Sequence, residues 1–132
     1  MDTVSVKIPA TPPSLRVVRL ITAGLASRLR FTLDEIEDLK IAVDELASYL
    51  TGPHGRTGVL EIDFMIYDDH IEISGVGQFS DGQKVRTELN ELSQKILETV
   101  TDSASLIRDG DVPRFHLSKS RPANASDVDG DG

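Results

Sequence analysis

The chain has 132 residues, no cysteine and a formal net charge of -8. That length suffices for one domain with its own core, and the lack of cysteine excludes disulfides and thiolate metal sites and fits a reducing, cytoplasmic setting. The acidic balance argues against direct contact with nucleic-acid phosphates and favours a basic partner. The opening residues, MDTVSVKIPATPPS, carry neither the basic nor the apolar block of a signal peptide, and no apolar run is long enough to cross a bilayer.

Val4, Val6 and Ile8 alternate with polar residues and predict a short strand. Thr11 as N-cap and Pro12 at the first helical position then open a helix with the apolar stripe Leu15, Val18, Ile21, Leu25 and Leu29. Gly24 in its middle costs about 1 kcal/mol relative to alanine and marks either a close helix contact or a tolerated glycine.

A second helix is predicted over 36–50. Thr32 and Glu35 form a capping box before it, Phe31 and Ile36 a hydrophobic staple, and Gly52-Pro53 a stop. Its stripe is Ile36, Leu39, Val43, Leu46 and Leu50, with Asp38, Ile41, Glu45 and Tyr49 on a neighbouring face.

Leu60, Ile62, Phe64 and Ile66 alternate with Glu61, Asp63 and Met65, and Ile71 and Ile73 alternate with Glu72 and Ser74. With Asp68-Asp69 as the turn, they read as an antiparallel hairpin with one apolar and one polar face. Residues 75–84, GVGQFSDGQK, read as a loop, and 85–101 as a third helix with Leu89, Leu92, Ile96 and Val100 as its stripe. Two strands follow, 104–107 and 114–118, joined at Asp109-Gly110-Asp111. The expected fold class is α+β: a two-layer sandwich of order β-α-α-β-β-α-β-β, with helices on one face of a mixed sheet. Residues 1–120 form the expected domain, and 121–132 an acidic tail without apolar pattern, expected to be disordered.

The helix 36–50, IEDLKIAVDELASYL, carries the acidic pair Asp44-Glu45, with Tyr49 one turn after Glu45. It resembles the first signature helix of the GHKL (histidine-kinase-like, Bergerat) ATPase fold, in the version used by bacterial anti-sigma factors that are also serine-protein kinases. With the element order, the likeness runs from Val4 to Lys119.

The resemblance implies a nucleotide site of four parts between the helices and the sheet. Glu45 matches the glutamate that polarises the attacking hydroxyl, but Tyr49 stands where the family has a magnesium-binding asparagine. A neutral phenol is a poor ligand for magnesium, so a packing role for Tyr49 is the stronger reading, and Glu45 also reads as an ordinary exposed helical acid. In the second part an aspartate that reads adenine precedes spaced glycines. Gly75 and Gly77 keep the glycines, but the aspartate position falls on Ile73 or Gly75, which cannot accept that bond. A lone GxG also fits an ordinary strand-to-loop turn.

In the third part, a glycine-rich turn lets backbone N–H groups approach phosphates at a helix N-terminus. Counting back from Asp102 puts Glu91-Leu92-Ser93-Gln94 there, without glycine and with an acid that repels phosphate. Val112-Pro113 replaces the glycine-threonine pair of the fourth part, and proline removes a backbone donor.

The resemblance therefore implies an anti-sigma factor that sequesters a sigma factor, is countered by a STAS-domain anti-anti-sigma partner, and forms a homodimer. The degenerate site residues are Glu45, Tyr49, Gly75 and Gly77, and the family's ATP binding is expected to be lost. No cofactor is expected; ATP and Mg²⁺ would bind only if the divergent motifs still function. The alternative is an active ATP-dependent serine kinase with Glu45 as general base. His54, His70 and His116 lack metal-ligand spacing and read as surface or packing residues. No serine lies in a GxSxG pattern. Asp127, Asp129 and Asp131 lack the later ligands of a calcium loop and read as solvated tail.

Overall fold

Every strand alternates apolar and polar side chains, so one face of the sheet must be covered by helices. The computed structural model describes residues 1–80 and 84–121. Its elements are β1 (Asp2–Pro9), α1 (Leu15–Arg28), α2 (Leu33–Thr51), β2 (Gly58–Ile66), β3 (His70–Phe79), α3 (Glu91–Val100), β4 (Ser103–Asp109) and β5 (Val112–Ser120), and the strands form one sheet in the order β1-β2-β3-β5-β4.

The predicted element order is present, but the sheet is not mixed. All four strand pairs are antiparallel. The chain passes through two helices between β1 and β2, and so returns in the opposite direction. The single-helix crossover from β3 to β4 does give a strand parallel to β3, but β5 lies between them. The core comprises Ile62, Phe64, Ile71, Ile73, Phe115 and Leu117 from the sheet against Val18, Leu39, Val43, Leu46 and Leu50 from the helices. Burying each such side chain contributes about 1.5–3 kcal/mol.

The helices differ from the sequence reading in detail. Pro12–Ser14 forms a short 3-10 turn ahead of α1, and the Thr11 hydroxyl pairs with that of Ser14 at 3.0 Å rather than capping the backbone. The buried line of α1 runs through Leu15, Val18, Thr22 and Ala26, leaving Ile21 and Leu25 partly exposed. Thr22 is tolerated there because its hydroxyl donates to the Val18 carbonyl at 2.7 Å. A Cβ on Gly24 would meet nothing within 4 Å, so this glycine makes no close contact.

The capping box of α2 is formed in both directions: the Glu35 N–H donates to Thr32 Oγ1, and the Thr32 N–H to Glu35 Oε1, each at 3.2 Å. Gly52, at φ 68°, ends the helix.

α2, β4 and β5 are each one to three residues longer at their ends than expected, and two boundaries move further. β3 runs through 75–79, read above as loop, because β2 pairs with it along its whole length and β5 as far as Val76. Gly75 lies between Ile62 of β2 and Phe115 of β5. α3 starts at Glu91 rather than 85, because Asn90 caps it: its side chain accepts from the Ser93 N–H at 2.7 Å. The buried face of α3 is consequently Ser93, Leu97 and Val100, while Leu92 is 69% exposed. Lys119 donates to the Val100 carbonyl at 2.8 Å and ties the C-terminus of α3 to β5. Residues 81–83 of the expected loop and 122–132 of the expected tail, including its three aspartates, lie outside the described residues. Among the described residues no helix is long and apolar enough to cross a membrane.

Candidate functional site

The acidic pair of α2 is divided between two neighbours. Asp44 takes the Arg19 guanidinium at 2.5 Å and holds α2 to α1. Glu45, about 100° further round the helix, turns toward α3. There the Ser93 hydroxyl donates to Glu45 Oε1 at 2.5 Å, the Tyr49 hydroxyl donates to Ser93 Oγ at 2.9 Å, and the Asn90 N–H donates to Tyr49 Oη at 3.0 Å. The result is a run of hydrogen bonds from a backbone donor through two hydroxyls to a carboxylate. Each member polarises the next. Ser93 is 1% exposed, and no described buried side-chain polar atom lacks a partner.

Glu45 and Tyr49 are thus brought together, as the i, i+4 spacing requires. The residues that join them, Ser93 and Asn90, escaped the sequence reading. The signal for Asn90 was the cap itself: asparagine directly before Glu91, an acid in the first turn, is an N-terminal pattern. The expected start at 85 hid it. Glu91 and Leu92, expected at the phosphate turn, are both exposed.

Gly75 and Gly77 lie elsewhere, in the middle of the sheet. A Cβ at Gly75 would be 2.2 Å from the Phe115 ring, and one at Gly77 2.5 Å from the ring of Phe79. Both glycines make room for aromatic rings on the covered side of the sheet. Pro113, assigned above to the fourth part, is buried at the start of β5 opposite Arg108 of β4. An open cleft of about 1030 Å³ at this end of the sheet is lined by Gly77, Phe79, Lys84, Arg108, Asp111 and Pro113, among others. The Arg108 guanidinium there donates to the Val85 carbonyl.

On the uncovered face, the sheet assembles a cluster not read from the sequence. His70 Nε2 and His116 Nε2 each lie 3.0 Å from one oxygen of Glu72, and His70 Nδ1 lies 2.6 Å from Asp69 Oδ1. The Tyr67 ring stacks on His70, with centroids 4.2 Å apart. Hydrogen bonding to Asp69 and then to Glu72 raises the His70 pKa above its ordinary value. The same bonds lower Asp69, and the two imidazoles lower Glu72. The i, i+2 spacing of His70 and Glu72 could have placed them on one strand face. His116 comes from 44 positions away and left no local signal. Among the described residues no group of three His, Cys, Asp or Glu is placed to hold a metal ion.

No protein-family model matches the chain. It is 38% identical over 78 residues to the serine-protein kinase RsbW of Bacillus pumilus, covering 55% of this chain and 48% of that one. It is 37% identical over 92 residues to the RsbW of Oceanobacillus iheyensis, covering 66% and 58%. With the RsbW of Bacillus licheniformis the identity is 31% over 108 residues, covering 79% and 66%. The chain thus spans about half to two thirds of the length of these relatives. A crystal structure of the RsbU and RsbW domains of a Mycobacterium tuberculosis protein superposes with a TM-score of 0.66 at 16% identity, over 93% of this chain and 33% of that one. That likeness shows a shared fold.

Proposed function

The chain belongs to the RsbW-like members of the GHKL family, and from that membership we propose that it is an anti-sigma regulatory module that works without the family's nucleotide step. It holds a sigma factor inactive and releases it when a STAS-domain antagonist competes. Residues 1–120 form the regulatory domain, acting as a homodimer. The observation that carries this reading is the chain of bonds from Asn90 through Tyr49 and Ser93 to Glu45.

Magnesium requires oxygen ligands in octahedral geometry. The side chain in the asparagine position is a phenol whose oxygen already serves Asn90 and Ser93. The carboxylate that would accept a proton from an attacking hydroxyl already accepts one from Ser93. Nucleotide would have to break these bonds and displace the N-terminus of α3. The aromatic rings against Gly75 and Gly77 and the proline of the fourth part support the same reading. A net charge of -8 steers the module toward a basic partner segment.

The test has two arms. Titration calorimetry with Mg-ATP is expected to give no heat at micromolar ligand; one micromolar site would overturn the loss of nucleotide binding. Co-purification with the sigma factors of the same organism is expected to recover one of them; recovery of none would overturn the anti-sigma reading. Because Glu45 does pair with a serine hydroxyl, a kinase reading has a specific test. Labelled-phosphate transfer to a STAS partner, abolished in Glu45→Gln, would establish it in place of the first.

A further inference from the structure

His70 has both ring nitrogens aimed at carboxylates: Nδ1 at Asp69 Oδ1, 2.6 Å, and Nε2 at Glu72 Oε2, 3.0 Å. A neutral imidazole has one N–H and one lone pair, so it can donate to only one of them. In the neutral ring the second nitrogen would set its lone pair against a carboxylate oxygen. Only the imidazolium satisfies both contacts. His116 is different: one of its nitrogens meets Glu72 Oε1, and that single bond can be made by the neutral ring or the cation. Of the two histidines that share Glu72, the geometry therefore makes one dependent on protonation and the other indifferent to it.

The two carboxylates of His70 belong to different parts of the fold. Glu72 lies within β3, opposite Ser118 of β5 and Met65 of β2. Asp69 lies in the β2–β3 turn, and its backbone carbonyl accepts the Arg121 N–H at 2.7 Å, where the chain leaves β5. Tyr67, which stacks on His70, donates its backbone N–H to the His70 carbonyl at 3.0 Å across the same turn.

Among the described residues, few charged groups lie around the cluster. Arg121 is near enough to act on Asp69. Asp63 of β2 faces Ser74, but its carboxylate accepts from Ser5. Arg114, two positions before His116 on β5, pairs with Asp109 at 3.4 Å. β4 places the uncharged Ser105 opposite His116.

We propose that His70 is a proton-operated clasp that fastens the β2–β3 turn, and with it the exit of the chain from β5, onto the uncovered face of the sheet. Protonated, it bridges Asp69 to Glu72. On losing its proton it releases one of the two, while His116 keeps Glu72 joined to β5. The turn then loosens and the face gains one negative charge. The raised affinity of His70 for its proton, caused by the same two carboxylates, agrees with this assignment.

Histidine carbon-bound proton signals of the full chain, followed by NMR against pH, test the clasp. The expected His70 midpoint lies above the free-imidazole value of about 6.5 and falls in both Asp69→Asn and Glu72→Gln. Hydrogen exchange of the Arg121 amide, measured below the His70 midpoint, should be several-fold faster in Asp69→Asn than in the parent. Asp69 is in an exposed turn, so that variant keeps the test open if Glu72→Gln fails to fold. A His70 midpoint at or below about 6.5, or one unchanged in Asp69→Asn, would overturn the proposal.

Discussion

Replacing Gly75 with alanine separates a glycine kept for packing from one kept for a nucleotide. The added Cβ would stand 2.2, 2.6 and 2.8 Å from three atoms of the Phe115 ring. Carbon atoms in contact settle at about 3.5–4.0 Å, so the ring must retreat by roughly 1.3 Å. Phe115 is 2% exposed and sits in β5, paired with β3 on one side and β4 on the other, so that movement strains the sheet. Overpacking of this kind costs about 1–3 kcal/mol, offset by about 0.4–1 kcal/mol because alanine restricts the unfolded chain. The expected net loss is about 1–2 kcal/mol. Phe115→Leu removes the ring at a cost of a similar size for a partial cavity. If the ring is the reason for the glycine, the double variant should cost no more than Phe115→Leu alone. That corresponds to a coupling of about 1–2 kcal/mol in a double-mutant cycle. Urea unfolding of the four proteins measures it. Additivity within about 0.5 kcal/mol, or a neutral Gly75→Ala, would refute the packing account.

Three further outcomes follow from the geometry. Tyr49→Phe removes the hydroxyl that joins Asn90 to Ser93 and should cost about 1–2 kcal/mol in urea unfolding, two net hydrogen bonds' worth; no loss would mean that these two bonds do not hold α3. Gly24→Ala, at an open helical site, should stabilise by about 0.5–1 kcal/mol, read as a higher urea midpoint at unchanged slope. The carboxylate–histidine cluster predicts a pH window for stability. His70 is held above its free value, so its contribution is complete below about pH 6.5 and is lost as pH rises through its folded midpoint; Asp69 and Glu72 are held below theirs, so theirs is complete above about pH 4.5 and is lost on further acidification. Unfolding curves of the parent and His70→Gln should therefore converge above the His70 midpoint and diverge between about pH 4.5 and 6.5.

The parts of the fold that were legible were those set by short-range rules. Thr32 and Glu35 lie three residues apart, and their mutual cap depends on nothing else, so the start of α2 was visible. The period-two alternation of 60–66 fixed which face of β2 is buried. What was hidden depended on distant partners. The stretch 75–79 has the glycine content of a loop, and it becomes strand because β2 pairs with all of it and β5 with its first two residues. Leu92 fits a helical stripe counted from 85, but the Asn90 cap starts the helix later and turns Ser93 inward instead. A buried serine is a poor core residue by composition. It is acceptable here because Glu45 and Tyr49, over forty positions earlier, supply its acceptor and donor.

That dependence gives the acid at position 45 a structural reason of its own. If Glu45 served only an absent nucleotide, nothing local would oppose its replacement. In this fold its carboxylate ends a run of hydrogen bonds that begins at a backbone N–H, and removing it would leave the buried Ser93 hydroxyl without an acceptor. A buried polar group without its partner costs about 1–3 kcal/mol, comparable to the whole effect of many core substitutions. Tyr49 completes the same run, since its ring packs against the core while its hydroxyl reaches Ser93. Glutamate and tyrosine are therefore interdependent at these positions. Asparagine at 49 would be too short to make the link to α3 that the tyrosine hydroxyl makes. The α2–α3 junction therefore depends on Glu45, Tyr49 and Ser93 together, and a change at any one of them unsettles the other two.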